Sequence, residues 1–346
     1  MVHLAAIVPA PKATLEVKEI ETPNPGVDGL LIKNEVIAFN PIEAKIAKVG
    51  AIPLDYPAIL GSTFAGTIEA KGPEVEDLSV GDRVVVSKKF GVKDNQSGAF
   101  QHYVVVKDKM VSKIPEGIDP AIPASLMMNL TCVVGLFTGR LGLDKPTLDG
   151  IKATQKDEKI LIYGGSSSFG GLSVEYLSQA GYQVITTSSP RNRNFVSKLG
   201  ASAVIDHTLE LDLLRDALIA QGPYEAVVDM ISLPETVAVT AKVLESQGGG
   251  TLYTMQPAFG SETLPDGVNR VFEPWSDSLY ETENQRLQEW VVGTYLPQGL
   301  LQRAITPIPI EKVIGGLKGI DAALERIQKG VSGLKLVADP WEVTYR

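Results

Sequence analysis

The chain has little of what metal centres and disulfides require. Its 346 residues include one cysteine, Cys132, and three histidines. A single cysteine excludes an intrachain disulfide, and it excludes a four-cysteine zinc site as well. Low cysteine content is typical of proteins in a reducing compartment, so we expect a cytoplasmic protein.

Basic charge is also scarce. Lys and Arg number 32 against 41 Asp and Glu, which gives a formal net charge of -9 at pH 7. Binding to a phosphate backbone requires a basic surface, so we expect no nucleic-acid partner. The amino terminus lacks a basic segment followed by an apolar one, and apolar runs of about 18 residues are not apparent, so we expect neither a signal peptide nor a membrane span.

What the chain does contain is a change of pattern along its length. Up to residue 125, short apolar or alternating runs are separated by Gly and Pro, which predicts a β-rich, barrel-like unit. Over 126–270, apolar strands alternate with helical segments, which predicts a doubly wound parallel sheet. Residues 271–346 carry a helix near 283–299, a helix over 321–330 and a strand over 334–340. The sequence therefore predicts an α/β protein of about two domains.

One glycine-bounded turn stands out in the second domain. The sequence ILIYGGSSSFGG, residues 160–171, has the pattern of a strand, a turn and the start of a helix. A Rossmann unit binds a pyrophosphate at such a turn, where unpaired N–H groups and the helix dipole attract an anion. Gly164 permits the tight turn and Gly170 permits close packing of the helix. Ser167 replaces the central glycine of the usual pattern and offers a hydroxyl donor instead.

The end of the second strand indicates which nucleotide binds. An NAD site has an acidic residue there for the ribose 2′-hydroxyl, whereas a 2′-phosphate needs donors and positive charge. Here the strand QVITT runs into Ser188, Ser189 and the segment Pro190–Arg193, with no acid. The sequence therefore favours NADPH; the alternative is a solvated loop with two surface arginines.

Four further segments complete a resemblance. They are FNPIEAK at 39–45, PAILGSTFAGT at 57–67, GDRV at 81–84 and GGLKGIDAALERIQKGVSGLKLV at 315–337. With the turn, they resemble the medium-chain dehydrogenase/reductase superfamily over the whole chain. The resemblance implies a GroES-like β-barrel catalytic domain at 1–125, a doubly wound Rossmann NADP-binding domain at 126–270, a return to the catalytic domain at 271–346, and an active site in the cleft.

Within this superfamily, three short motifs are similar to one group. The turn GGSSSFG, the segment SSPRN and the ending VSG-x-K-x-V are similar to fungal zinc-independent enoyl reductases that act in trans on polyketide synthases, and to ToxD-like oxidoreductases. These enzymes belong to secondary metabolism. The resemblance thus implies an oxidoreductase of polyketide biosynthesis.

The resemblance also implies a set of cofactor contacts. His207 occupies the position at which relatives often have a tyrosine beside the ribose, and it is otherwise compatible with a surface residue. The implied contacts are Asn40, Pro41, Ile42, Glu43, Gly164, Ser166, Ser167, Ser168, Phe169, Gly170, Ser189, Pro190, Arg191, Asn192, His207, Thr254, Met255, Val331 and Ser332.

The superfamily's zinc ligands are missing. Where relatives that bind catalytic zinc carry a cysteine this chain has Asn40, and where they carry Gly-His-Glu it has Gly61, Ser62 and Thr63. Without thiolates no zinc can polarise an alcohol, so we predict no metal. The remaining chemistry is hydride transfer to an activated carbon–carbon double bond or to a quinone.

Reduction of an enoyl thioester needs a group that stabilises the enolate and a proton source. Lys45, in N-P-x-E-x-K, is our first candidate for both tasks, although it is also compatible with a surface lysine. Tyr56 is the second candidate, or a packed ring before Pro57. By resemblance, Thr131 lies near substrate, while Met128 is a candidate for the pocket wall.

We therefore predict an NADPH-dependent enoyl reductase acting on a small-molecule or carrier-bound acyl substrate, with a polyketide synthase as partner and no membrane partner. The first alternative is a stand-alone reductase of quinones or enones. The second is a non-catalytic NADPH-binding partner protein.

Overall fold

The computed structural model describes residues 1–107, 109–148, 153–258 and 260–343. Contacts divide the chain into two compact units. Unit 1 combines Met1–Met128 with the segment that begins at Thr282, and unit 2 is Asn129–Glu281. The sequence-predicted boundaries lie at 125/126 and 270/271.

The strands form three sheets. A six-stranded sheet lies in unit 2, whereas a two-stranded and a seven-stranded sheet lie in unit 1. The strands within the described residues are β1 Val2–Ile7, β2 Glu16–Glu21, β3 Leu30–Ala38, β4 Thr63–Lys71, β5 Arg83–Ser87, β6 Tyr103–Val106, β7 Val111–Lys113, β8 Lys159–Tyr163, β9 Gln183–Ser188, β10 Ala203–Asp206, β11 Ala226–Asp229, β12 Gly250–Thr254, β13 Val268–Val271, β14 Ile310–Val313 and β15 Lys335–Ala338.

Across the two units, the described residues form α-helices of 4 to 14 residues. They are α1 Pro41–Ala44, α2 Ala121–Val134, α3 Ser168–Gln179, α4 Arg193–Lys198, α5 Leu211–Ile219, α6 Pro234–Ser246, α7 Gln285–Trp290, α8 Leu296–Leu301 and α9 Gly316–Lys329. Within the described residues, three π-helical segments continue or join helices, at Lys45–Val49 after α1, Gly135–Arg140 after α2 and Val291–Tyr295 between α7 and α8.

The seven-stranded sheet is mostly antiparallel and includes the end of the chain. Strands β3, β4, β5 and β7 pair antiparallel in that order, and β6 pairs with β3. On the other side of β3, the C-terminal strand β15 pairs antiparallel with it and parallel with β14. The last strands of the chain therefore complete the sheet begun by the first hundred residues.

The six-stranded sheet is parallel throughout, in the order β10-β9-β8-β11-β12-β13. Its first strand in the chain, β8, lies centrally, and the order reverses between β8 and β11. Ligands bind outside the carboxyl ends of strands at such a reversal. The predicted α/β class, with a GroES-like domain and a Rossmann domain, is confirmed.

Helix α9 begins earlier than predicted. The sequence predicts this helix over residues 321–330, DAALERIQKG, after the glycines Gly315, Gly316 and Gly319. The structure begins it at Gly316, and Leu317 and Ile320 lie buried in the apolar core of unit 1. Burial of these two side chains outweighs the lower helix propensity of glycine.

One expectation about apolar runs was wrong. The helical stretch Ala121–Arg140 has 20 residues and a mean hydropathy of 1.6, enough by length and composition to cross a membrane. However, 67% of its apolar window is buried inside the protein. This degree of burial is typical of the core helix of a soluble protein.

Candidate active site

The glycine-bounded turn joins β8 to α3. Gly164 has φ of +92°, a conformation that L side chains rarely adopt. Its N–H donates to Oγ1 of Thr187 at 2.9 Å, and the N–H of Gly165 donates to the carbonyl oxygen of Thr187 at 3.0 Å. These two bonds hold the turn beside the carboxyl end of β9.

Ser167 caps helix α3. Its hydroxyl oxygen accepts the N–H of Gly170 at 3.0 Å, and its O–H donates to the carbonyl oxygen of Gly164 at 2.9 Å. A Cβ added at Gly170 would lie 2.2 Å from that same carbonyl oxygen, so only glycine fits there. The sequence predicted that the hydroxyl of Ser167 donates to the pyrophosphate. In the structure this hydroxyl instead donates its proton to the carbonyl oxygen of Gly164, within the loop.

A tether to the preceding helix was missed in the sequence. Nδ2 of Asn129, in α2, donates to the hydroxyl of Ser168 at 2.8 Å. The bond fixes the first residue of α3 from outside the loop. An asparagine in an otherwise apolar helical run, MMNLTC, was the available signal.

The carboxyl end of β9 carries the residues predicted for the 2′-phosphate. Ser189 precedes a short 3-10 turn, Pro190–Asn192, on which Arg191 is exposed. In the next strand Asp206 pairs with Ser188, but its Oδ1 accepts both the N–H and the hydroxyl of Thr208. These hydrogen bonds lower the pKa of Asp206, the one from the N–H of Thr208 more than the one from its hydroxyl.

His207 lies at the same edge. It is exposed, and its N–H donates to the carbonyl oxygen of Ser188 at 3.3 Å. The structure thus brings His207 and the Ser189–Asn192 segment to neighbouring strand ends. Their contacts with a nucleotide stay predictions.

A buried aspartate organises the next strand ends. Asp229 ends β11, and its carboxylate accepts N–H groups of Ile231 at 2.9 Å and Ser232 at 2.8 Å and the hydroxyl of Thr236 at 2.5 Å. Burial raises the pKa of Asp229, whereas these hydrogen bonds act to lower it. Ser232 in turn accepts the N–H of Met255 at 2.8 Å. Asp229, which the sequence analysis did not identify, therefore positions the predicted contact Met255.

Thr254 ends β12 and is fully buried. Its Oγ1 lies 3.1 Å from the carbonyl oxygen of Gln256 and accepts Nε of Arg270 at 3.2 Å. Predicted cofactor residues of unit 2 thus gather at the carboxyl ends of β8, β9 and β12.

In unit 1 the predicted nicotinamide-side residues form a buried polar cluster. Asn40 and Glu43 are 2% and 1% exposed. The carboxylate of Glu43 accepts the N–H of Asn40 at 2.6 Å and the N–H of Ser62 at 3.0 Å. Nδ2 of Asn40 donates to Oγ1 of Thr63 at 3.2 Å. We call Asn40, Glu43, Thr63 and Lys335 the buried cluster.

Lys335 supplies the positive charge of the buried cluster. It begins β15, is 5% exposed, and its Nζ donates to Oδ1 of Asn40 at 2.6 Å. Burial raises the pKa of Glu43, while the Ser62 and Asn40 N–H groups and then the charge of Lys335 oppose that rise. The sequence analysis quoted this lysine in VSG-x-K-x-V but assigned it no role.

The buried cluster includes positions where zinc-binding relatives carry metal ligands. It holds an amide, a hydroxyl, a carboxylate and an ammonium. Across the described ranges, no three His, Cys, Asp or Glu side chains lie close enough together to hold a metal ion. An ammonium repels a metal cation, so the cluster suits an internal ion network better than a metal.

The two proton-donor candidates differ in their surroundings. Lys45 follows α1 directly and is partly buried, and burial lowers its pKa. Tyr56 packs against the apolar core of unit 1, and so does Val331. Ser332 is exposed. The roles of Lys45 and Tyr56 in charge stabilisation and proton donation stay predictions.

The predicted substrate residues lie on α2. Thr131 is fully buried, whereas Met128 is partly buried. Pro41 is exposed and Ile42 partly buried, so these two remain accessible next to the buried Asn40 and Glu43. The roles of all four in binding stay predictions.

Comparison with known proteins agrees with these two units. A family model for the alcohol dehydrogenase GroES-like domain matches residues 26–116. The chain is 33% identical to the dehydrogenase azaJ of Aspergillus niger, over 97% of this chain and 98% of the relative. It is 31% identical to the trans-enoyl reductase himH of Aspergillus japonicus, over 90% and 89% of the two chains.

Among solved structures, the quinone oxidoreductase of Escherichia coli complexed with NADPH has the same fold, with a TM-score of 0.76 at 16% identity and coverage of 98% and 100%. A GroES-like unit joined to a parallel-sheet nucleotide unit defines a class of two-domain oxidoreductases. The chain belongs to the medium-chain dehydrogenase/reductase superfamily.

Proposed function

We propose that the chain is an NADPH-dependent, zinc-independent enoyl reductase that acts in trans on polyketide acyl chains. The observation that carries the proposal is the buried cluster. By the resemblance, Asn40 and Thr63 stand where zinc-binding relatives carry the cysteine and the glutamate of Gly-His-Glu, and Lys335 donates to Asn40 in the same cluster. The name of the Aspergillus japonicus relative supports the enoyl substrate class.

The residues of unit 2 fit a dinucleotide. The capped helix start of α3 and a turn that admits only glycine at Gly170 suit a pyrophosphate. Exposed Arg191, at a strand end without an acid, suits a 2′-phosphate. When bound, NADPH supplies a hydride to the β-carbon of the enoyl chain.

The chain's own residues handle the charge that this addition creates. As the β-carbon gains a hydride, the π-electron pair moves onto the thioester oxygen as an enolate, and a proton then adds to the α-carbon. Lys45, whose ammonium is partly desolvated, stabilises that oxygen or donates that proton. Solvent restores the lysine proton.

The substrate and setting follow from this chemistry. We propose an acyl chain held as a thioester on the carrier domain of a polyketide synthase, in the cytoplasm. A stand-alone quinone or enone reductase would use the same cofactor residues, and a non-catalytic NADPH-binding protein would use only those.

The test is NADPH oxidation with crotonyl-pantetheine and, in parallel, with a small quinone. We expect turnover of the thioester that exceeds turnover of the quinone. Turnover of the quinone alone would indicate the stand-alone reductase. NADPH binding without turnover of either would indicate the non-catalytic protein.

A further inference from the structure

A second lysine lies next to the buried cluster. Lys88 directly follows β5, and its N–H donates to the carbonyl oxygen of Ser62 at 2.8 Å. Ser62 in turn donates its own N–H to Glu43 at 3.0 Å. In the antiparallel pairing of β4 with β5, Ser87 lies opposite Thr63, which is a member of the buried cluster. The backbone therefore holds Lys88 one residue from the cluster.

The ammonium of Lys88 has unusual surroundings. Its side chain is partly buried, and within the described ranges its Nζ makes neither a hydrogen bond nor an ion pair. Two other sheltered lysines of unit 1 are paired: Lys48 donates to Asp321 at 2.6 Å, and Lys335 donates to Asn40. A partly desolvated cation that lacks a partner is costly to a fold.

The neighbouring acids do not supply that partner. Asp94 and Glu43 act on Lys88 only at longer range, and burial lowers the lysine pKa in spite of them. Oxygens of Glu43 already accept two N–H groups and face the charge of Lys335. Asp94 accepts the N–H and hydroxyl of Ser97. The ammonium thus remains available to an anion from outside.

We propose that Lys88 is a further catalytic residue, whose ammonium contacts the substrate thioester oxygen and stabilises the negative charge of the enolate. This inference rests on the proposed function. The electron pair that reaches the oxygen comes from the carbon–carbon double bond, and no bond to Lys88 forms or breaks. Lys88 would act together with Lys45, because two ammonium groups stabilise an oxyanion more than one does.

The first experiment compares Lys88→Met, Lys88→Arg and Lys93→Met with the parent in crotonyl-pantetheine reduction. Lys93 is exposed in the same loop and serves as the control. We expect Lys88→Met to lower kcat on the order of 10²-fold, Lys88→Arg to restore part of it, and Lys93→Met to have no effect. The KM for NADPH should not rise and the Tm should not fall, since Lys88 makes no described side-chain bond.

The second experiment needs no turnover. Lysines are dimethylated with 13C-formaldehyde and dimethylamine–borane as reductant, and the Lys88 signal is assigned by its loss in Lys88→Met. Crotonate, whose carboxylate carries a comparable negative charge, is titrated in the presence of NADP⁺. We expect a saturable shift of the Lys88 signal and no shift of the Lys93 signal.

The outcomes separate the two proposals. If an active parent and Lys88→Met have equal kcat, the role of Lys88 is refuted and the enoyl reductase stands. If crotonate leaves the Lys88 signal unmoved, the anion contact is refuted whatever the activity. An inactive parent refutes the proposed function and the enolate role with it.

Discussion

Nζ of Lys335 donates a hydrogen bond of 2.6 Å to Oδ1 of Asn40, a residue 295 positions earlier in the chain. Through this bond the C-terminal strand β15 fixes the amide that precedes helix α1. The charge of Lys335 also acts on buried Glu43. The tail of the chain is therefore part of the same polar network as the segment 40–45, which carries the proposed catalytic Lys45.

Replacing Lys335 by Met should destabilise the protein. The change removes the charge that Lys335 places near buried Glu43 and the donor to Oδ1 of Asn40, for which we expect a loss of roughly 3 kcal/mol in the free energy of unfolding. Urea denaturation measures the loss. The double variant Lys335→Met with Glu43→Gln removes both charges and should recover part of it. If the double variant loses the sum of the two single losses, the charges do not interact.

Substitution of Gly170 by Ala should disrupt the nucleotide turn. The added Cβ would lie 2.2 Å from the carbonyl oxygen of Gly164, so the turn has to shift. We expect at least a tenfold weaker binding of NADPH and of NADH, measured by fluorescence titration. Gly293→Ala is the matched control, since a Cβ there meets no atom within 4 Å. Unchanged affinity in Gly170→Ala would show that the turn does not bind the nucleotide.

Arg191→Ala tests the choice of nucleotide. It removes a charge-assisted contact of about 1.5 to 3 kcal/mol to a 2′-phosphate, so NADPH should bind at least tenfold more weakly and NADH almost as before. Arg215→Ala is the control, because Arg215 pairs with Asp212 and Asp216 on α5. Equal losses for NADPH and NADH would contradict the predicted specificity.

The sequence predicted what is local and periodic. The turn around Gly164 and Gly170, the parallel sheet and the barrel-like unit follow from short-range patterns of glycine, apolar residues and helix starts. Lys335 could not be assigned in the same way, because one lysine in the run LKLVA gives no sign of its distant partner Asn40. Lys88 was missed for the same reason: its burial and its isolation depend on tertiary packing.

Acid should destabilise the fold through two histidines. Burial lowers the pKa of both His3 and His102 and is the largest influence on each. A hydrogen bond between His3 and Gln101, and one between His102 and the carbonyl oxygen of Pro340, act in the opposite direction and raise the pKa. In the unfolded chain both titrate near 6.5. The unfolded state therefore binds more protons as the pH falls below that value, so stability is present above it and declines below it.

His102→Gln measures the size of this effect. His102 stacks on Trp341 at 3.8 Å between ring centroids, and its surroundings include His3 and Asp339. The urea concentration at the midpoint of unfolding should decrease for the parent as the pH is lowered from about 7.5 to about 5.5. It should decrease less for the variant. Parallel curves would show that His102 does not contribute to the acid sensitivity.

The proposed function depends most on Lys45. If its ammonium stabilises the enolate oxygen, it matters more in the transition state than in the ground state. Lys45→Met keeps the apolar stem and removes the charge, so kcat for crotonyl-pantetheine should fall on the order of 10²-fold while the KM for NADPH stays constant.

A neighbouring lysine separates this effect from a general loss of positive charge. Lys48 lies in the same π-helical segment and pairs with Asp321, so Lys48→Met should leave kcat unchanged. Reduction of a small quinone should also be less sensitive to Lys45→Met, because the oxygens of a reduced quinone are well-stabilised phenolates that need less help. If Lys45→Met turns over the thioester at the parent rate, then the stabilising charge must come from Lys88 and the proton from Tyr56 or solvent.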